Sequence, residues 1–209
     1  PRRTVRVVLF ANEEFGLSGA RAYGEAHSEE VGKHVLAMEA DLGPGAVWRY
    51  RARTTEDSVE DARKLIRYLA PLGLSWHTTT AGGGPDLISL RRLDVPLIDL
   101  SPTATYYFDY HHTDDDTLDK VDPADLAQNV AAYSVVAYWA AEREGTLGRP
   151  PVEKTQSSPS PGPGFRCRWP RAALRGTVES CYRSSAIEDL GKLVGVEGPH
   201  GLGPHRTGG

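Results

Sequence analysis

The chain has 209 residues with a formal net charge of −4, a hydrophobic fraction of 39% and a charged fraction of 25%. These values fit one α/β domain, and no apolar stretch reaches the roughly 18 residues that a membrane-spanning helix needs. The first 150 residues contain 23 acidic and 16 basic side chains. This acidic excess argues against nucleic acid as the main partner, because phosphate binding requires a concentrated basic face.

The start of the chain predicts a buried strand that leads into an acidic loop. Residues 4–11 are β-branched and almost continuously apolar, as expected of a strand covered on both faces of a sheet. The acidic pair Glu13 and Glu14 follows this strand directly. After a glycine-containing turn, Ser18 is placed to begin a helix that runs to about His27.

Later segments continue the alternation of strands and helices. The run at 34–41 predicts a second buried strand, and a helix from about Ser58 carries apolar residues at helical spacing until Pro71 stops it. The other predicted elements are a more exposed strand at 47–53, a glycine-rich loop at 82–86, a short helix at 87–93, a strand at 95–100, a polar aromatic loop at 101–117 and a long helix from Asp122-Pro123 to Glu142. This order predicts an α/β fold, with three layers (αβα) around a mostly parallel, mixed sheet.

The composition changes at about residue 145. Residues 151–209 contain 7 of the 15 prolines and 10 of the 22 glycines, and they show no sustained periodicity. We therefore expect residues 1–145 to form the folded domain and residues 146–209 to be a disordered tail. A reading frame that shifts near Pro150 is the alternative explanation. Both cysteines, Cys167 and Cys181, lie in this tail, which excludes a cysteine zinc site in the domain.

Acidic and histidine side chains follow three of the predicted strands. The carboxyl ends of strands are where α/β sheets bind ligands. Converging carboxylates and imidazoles would repel or need protons unless a cation joined them, and oxygen and nitrogen ligands suit zinc or a similar divalent ion. The side chains concerned are Glu13 and Glu14, Glu39 and Asp41, and His111 and His112. The sequence therefore predicts a metal site.

Four motifs occur in an order that resembles a known enzyme family. They are Asn12-Glu13-Glu14-Phe15-Gly16 with Ser18-Gly19-Ala20, Met38-Glu39-Ala40-Asp41, Gly82-Gly83-Gly84-Pro85-Asp86, and His111-His112-Thr113-Asp114-Asp115-Asp116-Thr117 followed by Asp122-Pro123. Over residues 3–142 the sequence resembles the C-terminal part of the catalytic domain of the zinc exopeptidases of metallopeptidase family twenty-eight. Its carboxypeptidase Q-like and bacterial aminopeptidase-like members are the most similar in these motifs.

The resemblance implies a role for each matching residue. Glu13 would be the general base, and Glu14 would ligate one metal ion. Asp41, the last residue of the Met-Glu-x-Asp motif, would ligate the second ion in place of Glu39. His112, which is separated by three residues from the Asp116-Thr117 pair, would be the histidine ligand in place of His111.

Further residues are candidates for supporting roles in the same site. Asp86 and Asp116 are candidates for orienting the metal ligands or the loop amides around them. Tyr107, Tyr110 and His111 are candidates for the substrate pocket, because they stand directly before or beside the histidine ligand.

The activity that the resemblance implies is a metal-dependent exopeptidase, either an aminopeptidase or a dipeptidase like carboxypeptidase Q. Two zinc ions in the full domain would activate a bound water, and Glu13 would take the proton of that water as it attacks a peptide carbonyl. The expected substrates are peptides or dipeptides. A secreted or periplasmic location follows from the resemblance alone, and a homodimer stays open.

The sequence also departs from the family. A histidine and a bridging aspartate would precede Glu13 by several tens of residues, together with the first elements of the sheet, whereas the chain begins at Pro1 and its one methionine is Met38. We therefore expect a processed chain or a fragment that need not be active by itself. The alternatives are a truncated or non-catalytic homologue that acts in binding or assembly, and a single-zinc cyclising acyltransferase on the same fold.

Overall fold

A mixed sheet of three strands organises residues 1–151, which are the residues that the computed structural model describes. The elements in chain order are α1 (Ser18–Ala26), β1 (Val47–Arg53), α2 (Glu56–Lys64), α3 (Ile66–Leu69), β2 (Ser75–Trp76), α4 (Ile88–Arg92), β3 (Leu97–Pro102), α5 (Tyr107–Tyr110) and α6 (Pro123–Glu142). Short 3-10 helices lie at Val31–Lys33, Ala70–Leu72 and Leu118–Lys120. Within the described range, none of the helices is long and apolar enough to cross a lipid bilayer.

Strand β1 lies at the centre of the sheet. It pairs in parallel with the short strand β2 and antiparallel with β3, in the order β2-β1-β3. Beyond β3, Ala37 forms a single parallel bridge with Leu97, in which the Ala37 amide donates to the Pro96 carbonyl over 2.9 Å. The predicted α/β fold with a mixed sheet is confirmed, and strand β3 starts and ends two residues later than the sequence predicts.

Two of the predicted strands do not form regular ladders. Residues 34–41 contribute only the bridge at Ala37, and residues 4–11 are extended without strand pairing. A strand is covered on both faces only when layers pack on both sides of its sheet, and among the described residues the segment 4–11 joins no ladder of the sheet. Leu9 is accordingly 62% exposed, so the prediction of a buried strand there is wrong for the described residues.

The two faces of the sheet pack against different layers of helices. Adjacent residues Leu97 and Ile98 of β3 point to opposite faces, as the alternation of side chains along a strand requires, and they belong to different apolar clusters. The cluster around Ile98 includes residues of α2–α3 and α6, and the cluster around Leu97 includes Leu90 of α4. Helix α1 approaches α4 so closely that a Cβ added at Gly24 would lie 2.8 Å from the Cβ of Ser89. These contacts give the three predicted layers.

Helix α6 ties together the loops at the edge of the sheet where the candidate site lies. It begins as predicted, with the Asp122 carboxylate accepting hydrogen bonds from the Ala124 and Asp125 amides. The Asn129 side chain donates to the Gly45 carbonyl over 2.9 Å, and the buried Tyr133 hydroxyl donates to the Glu39 carbonyl over 2.7 Å. The segment from Glu39 to Gly45 is therefore held by this helix.

The first residues of the predicted tail pack against the domain. Leu147 is 1% exposed, and its carbonyl accepts a hydrogen bond from the Thr55 amide. The Arg149 guanidinium donates to the Val31 carbonyl over 2.8 Å. Residues 152–209, which hold the rest of the predicted disordered tail, lie outside the described residues.

Candidate metal centre

Two loops that are far apart in the sequence meet through Glu14 and His112. The Nε2 atom of His112 lies 2.8 Å from Oε1 of Glu14. Glu14 belongs to the turn that precedes α1, and His112 follows α5 in the loop that leaves the carboxyl end of β3. His112 adopts a left-handed backbone conformation with φ of 61°, which is uncommon for residues other than glycine.

The compact cluster of candidate ligands also includes His111. Ligand atoms of Glu14, His111 and His112 all lie within 4.8 Å of one another. The two imidazole rings stack with their centroids 3.7 Å apart. One carboxylate and two imidazoles form a mixed oxygen and nitrogen donor set, the kind that zinc binds in proteins, so the residues present fit a zinc ion.

Four carboxylates predicted for the site act together on the Tyr107 hydroxyl. Burial raises the pKa of Tyr107, and the negative charges of Asp41, Glu14, Glu13 and Asp116 raise it further. All four carboxylates therefore lie on the side of the domain that Tyr107 faces. Asp41 is exposed and does not belong to the compact group of Glu14, His111 and His112.

The Glu39 side chain contacts the neighbouring glycine loop. The family resemblance assigns the metal-ligand role to Asp41 in place of Glu39. The Oε2 atom of Glu39 accepts a hydrogen bond from the Leu87 amide over 3.1 Å. A Cβ added at Gly84 would lie 2.5 Å from the Glu39 carboxyl carbon, so a side chain at this position would displace the Glu39 carboxylate or the loop. Burial, with the charges of Asp41 and Asp86, raises the pKa of Glu39 to about 8. Asp86 itself is buried in the same loop.

Asp99 has a positioning role that the sequence reasoning missed. Its two carboxylate oxygens accept hydrogen bonds from the amides of Gly82 and Gly83, over 2.7 and 2.9 Å, and one oxygen pairs with the Arg51 guanidinium at 2.9 Å. The glycine loop is therefore held at two places: by Asp99 of β3 at Gly82 and Gly83, and by Glu39 at Leu87. An aspartate inside an otherwise apolar strand was the sequence signal for this role, since a buried carboxylate requires partners.

A cavity of about 320 Å³ opens beside the histidines. Its lining includes the predicted pocket residues Tyr107, Tyr110 and His111, together with Asp116. The Tyr107 ring stacks on His111 with the centroids 4.6 Å apart, so the wall of the cavity continues into the histidine cluster. Any molecule that fills this cavity therefore lies next to the candidate metal ligands.

Comparisons with known proteins show which family the chain resembles. The profile described as Peptidase family M28 matches residues 1–137. Carboxypeptidase Q of Mus musculus is 31% identical over 149 residues, and the Rattus norvegicus enzyme of the same name is 32% identical over the same length. The alignments cover 71% of this chain but only 32% and 31% of those relatives, so the chain spans about a third of their length.

A solved structure shares the fold. The crystal structure of a Peptidase M28 precursor from Shewanella amazonensis superposes with a TM-score of 0.68 and is 39% identical in sequence. The match covers 70% of this chain and 33% of that chain. The profile match over more than half of the chain and the shared fold together establish the family: the chain belongs to peptidase family M28.

Proposed function

We propose that this chain is the C-terminal portion of the catalytic domain of a metal-dependent exopeptidase. The observation that carries the proposal is the contact between Glu14 and His112, two candidate ligands from separate loops. The family, and relatives named carboxypeptidase Q, support peptide hydrolysis. Because the chain spans a third of those relatives, the proposal concerns the intact protein to which these residues belong.

The metal site that we propose uses residues of both loops. Glu14 and His112 hold one zinc ion, and Asp41 contributes to a second. A zinc ion held by these residues would supply Lewis-acid chemistry, that is, a lower pKa for a bound water and polarisation of the peptide carbonyl. Asp86 and Asp116 orient the loops that carry these ligands.

Glu13 is the proposed general base. It adjoins Glu14 in sequence, and its charge reaches the same tyrosine hydroxyl as those of Glu14 and Asp41. As the oxygen of the attacking water bonds to the carbonyl carbon, the Glu13 carboxylate takes the proton of that water. It returns the proton to the amine nitrogen as the C–N bond breaks, which regenerates the carboxylate.

The proposed substrates are peptides or dipeptides whose side chain enters the cavity lined by Tyr107, Tyr110 and His111. Cleavage of a terminal residue, as an aminopeptidase or a dipeptidase, is part of the proposal, and the name carboxypeptidase Q of the relatives supports removal of a terminal residue. A secreted or periplasmic location is likewise proposed.

A single substitution separates the roles of Glu13 and Glu14. In the intact protein, Glu13→Gln is expected to lower turnover by about 10²- to 10⁴-fold while the zinc content stays unchanged, because the amide keeps the shape but cannot accept the proton. Glu25→Gln, at an exposed position on α1, is the matched control. Full activity in the Glu13→Gln protein would remove Glu13 from the base role.

Metal counting in the unmodified protein addresses the two alternatives. Two zinc ions per domain support the exopeptidase. One zinc ion with no peptide hydrolysis would favour a cyclising acyltransferase, and neither zinc nor hydrolysis would favour a non-catalytic homologue.

A further inference from the structure

The cavity beside the histidines extends from His111 to the first turn of α6. It lies between the loop that contains Leu42 and Gly45 and the loop that follows β3. Its volume of about 320 Å³ exceeds what a single small polar group requires and suits one large side chain. Tyr106, Tyr107 and Tyr110 contribute the aromatic part of the lining.

This aromatic lining suits the methylene stem of a long side chain that carries a charge at its tip. Tyrosine rings contact apolar stems on their faces and attract cations there as well. The structure already contains one such arrangement, because the Lys120 ammonium lies 5.5 Å from the centre of the Tyr110 ring. A cation is therefore compatible with this wall.

The charged groups of the lining are mainly acidic. Asp116, Asp122 and Asp125 face the cavity against one cation, Lys120. The Lys120 ammonium is already paired with two carboxylates outside the lining, Asp115 at 3.2 Å and Asp119 at 3.0 Å.

The carboxylates of the lining differ in how they are engaged. The Asp122 carboxylate caps α6 by accepting hydrogen bonds from the Ala124 and Asp125 amides, so part of its hydrogen-bonding capacity is taken. Among residues 1–151, Asp116 and Asp125 form no ion pair with a cation within 4.0 Å. The lining of the cavity thus includes two carboxylates, Asp116 and Asp125, that form no ion pair among the described residues.

We propose that this cavity receives the substrate side chain next to the scissile bond and selects a basic side chain, lysine or arginine. This proposal rests on the proposed peptidase function. The tyrosine rings contact the stem of that side chain, and Asp125 with Asp116 attracts its charge. A glutamate side chain is repelled by the same carboxylates, and a neutral side chain gains the stem contacts alone.

The test compares lysine with norleucine, which has a hydrocarbon side chain of similar length and no charge. Hydrolysis of peptides that present either residue beside the scissile bond gives a ratio of kcat/KM in the intact protein. Calorimetric binding of lysine amide and norleucine amide to the Glu13→Gln protein gives a ratio of Kd that does not depend on turnover. We expect both ratios to favour lysine by about tenfold, as a charge-assisted contact provides.

Two substitutions test the source of the preference. Asp125→Asn is expected to lower the lysine preference several-fold, and Lys120→Met to raise it, because the competing cation is removed. Asp109→Asn, an exposed aspartate of α5 outside the lining, is the matched control and leaves both ratios unchanged. Using two opposite changes keeps the test decisive if one variant fails to fold.

The outcomes separate this inference from the proposed function. Lysine preference in binding without any hydrolysis would support the subsite and contradict the peptidase. Hydrolysis with equal use of lysine and norleucine would support the peptidase and overturn the subsite. A preference that Asp109→Asn lowers as much as Asp125→Asn would also overturn it, because the cavity would then have no special part in the selection.

Discussion

His112 and Glu14 are separated by 98 positions in the chain, yet their side chains lie 2.8 Å apart. Glu14 follows the extended segment at 4–11, and His112 follows β3. The segment at 34–41 that leads to Asp41 is parallel to β3 where Ala37 meets Leu97. The parallel direction of these two segments places Asp41 and the histidine loop at the same edge of the sheet. The meeting of residues from several loops is thus a consequence of the topology.

Replacing Gly84 with alanine should distort the glycine loop more than a comparable change elsewhere. The backbone of Gly84 has a φ of 79°, and an added Cβ would lie 2.5 Å from the Glu39 carboxyl carbon. Gly73 has a similar φ of 89°, but nothing lies within 4 Å of its added Cβ. The left-handed backbone should lower the free energy of unfolding of both alanine variants by about 1 kcal/mol. In Gly84→Ala the contact with Glu39 should lower it further.

The measurement is urea unfolding followed by the fluorescence of Trp76 and Trp139, which pack against the apolar core. We expect Gly84→Ala to lower the free energy of unfolding by about 1–3 kcal/mol more than Gly73→Ala. Equal losses for the two variants would mean that the loop moves freely away from Glu39.

Leu147 should contribute to stability although it lies in the segment that the composition assigns to the tail. Its side chain is 1% exposed, and removing most of it leaves a cavity that the surroundings fill only in part. We expect Leu147→Ala to cost about 2–5 kcal/mol in the same unfolding measurement. Leu118→Ala, at a position that is 68% exposed, should change the free energy by less than about 0.5 kcal/mol. A Leu147→Ala protein as stable as the unmodified chain would move the end of the domain back to residue 145.

The buried hydroxyl of Tyr50 should make stability fall at alkaline pH. Burial raises the pKa of Tyr50 from 10.0 to about 12. The hydroxyl donates to the Arg63 carbonyl over 2.9 Å, and the folded protein retains its proton at a pH where the unfolded chain has released it. The contribution of Tyr50 is therefore complete below pH 10 and is lost as the pH rises towards 12, by about 2–3 kcal/mol in total.

Urea unfolding at several pH values between 9 and 12 measures this loss. Tyr50→Phe should make the decline less steep, and the remaining decline is expected from Tyr133, whose pKa is also raised by burial. Tyr68→Phe, at an exposed position on α3, should retain the full decline. If the Tyr50→Phe protein lost stability as steeply as the unmodified chain, another group would be responsible for the alkaline dependence.

The sequence predicts the parts of the fold whose local signals agree with the tertiary contacts. Helix α6 begins where Asp122 and Pro123 predict it, because a capping carboxylate and a proline in the first turn act locally. Strand β1 also keeps its predicted bounds, although its buried residues, Val47, Tyr50 and Arg53, do not alternate along the strand. The prediction of a buried strand at 4–11 was wrong because strand pairing depends on neighbouring strands. The pattern of a single segment contains no information about those neighbours.

The candidate site likewise has features that the sequence predicts and features that only the folded chain shows. Motif order was enough to select Glu14 and His112, whose side chains meet in the structure. His111 stacks on His112, which has a left-handed backbone, and no local sequence signal specifies that conformation. The role of Asp99 depends on the return of the glycine loop to β3, a contact across 16 and 17 positions that only the folded chain creates.

The most direct test of the account is the zinc affinity of the intact protein after replacement of His112. If His112 and Glu14 hold the metal, His112→Ala should lower the affinity by more than the roughly 10- to 100-fold that follows loss of a residue that merely orients a ligand. His77→Ala, which removes a histidine beyond β2 that contacts Thr79, should leave the affinity unchanged. An unchanged zinc affinity in the His112→Ala protein would contradict the proposed metal centre.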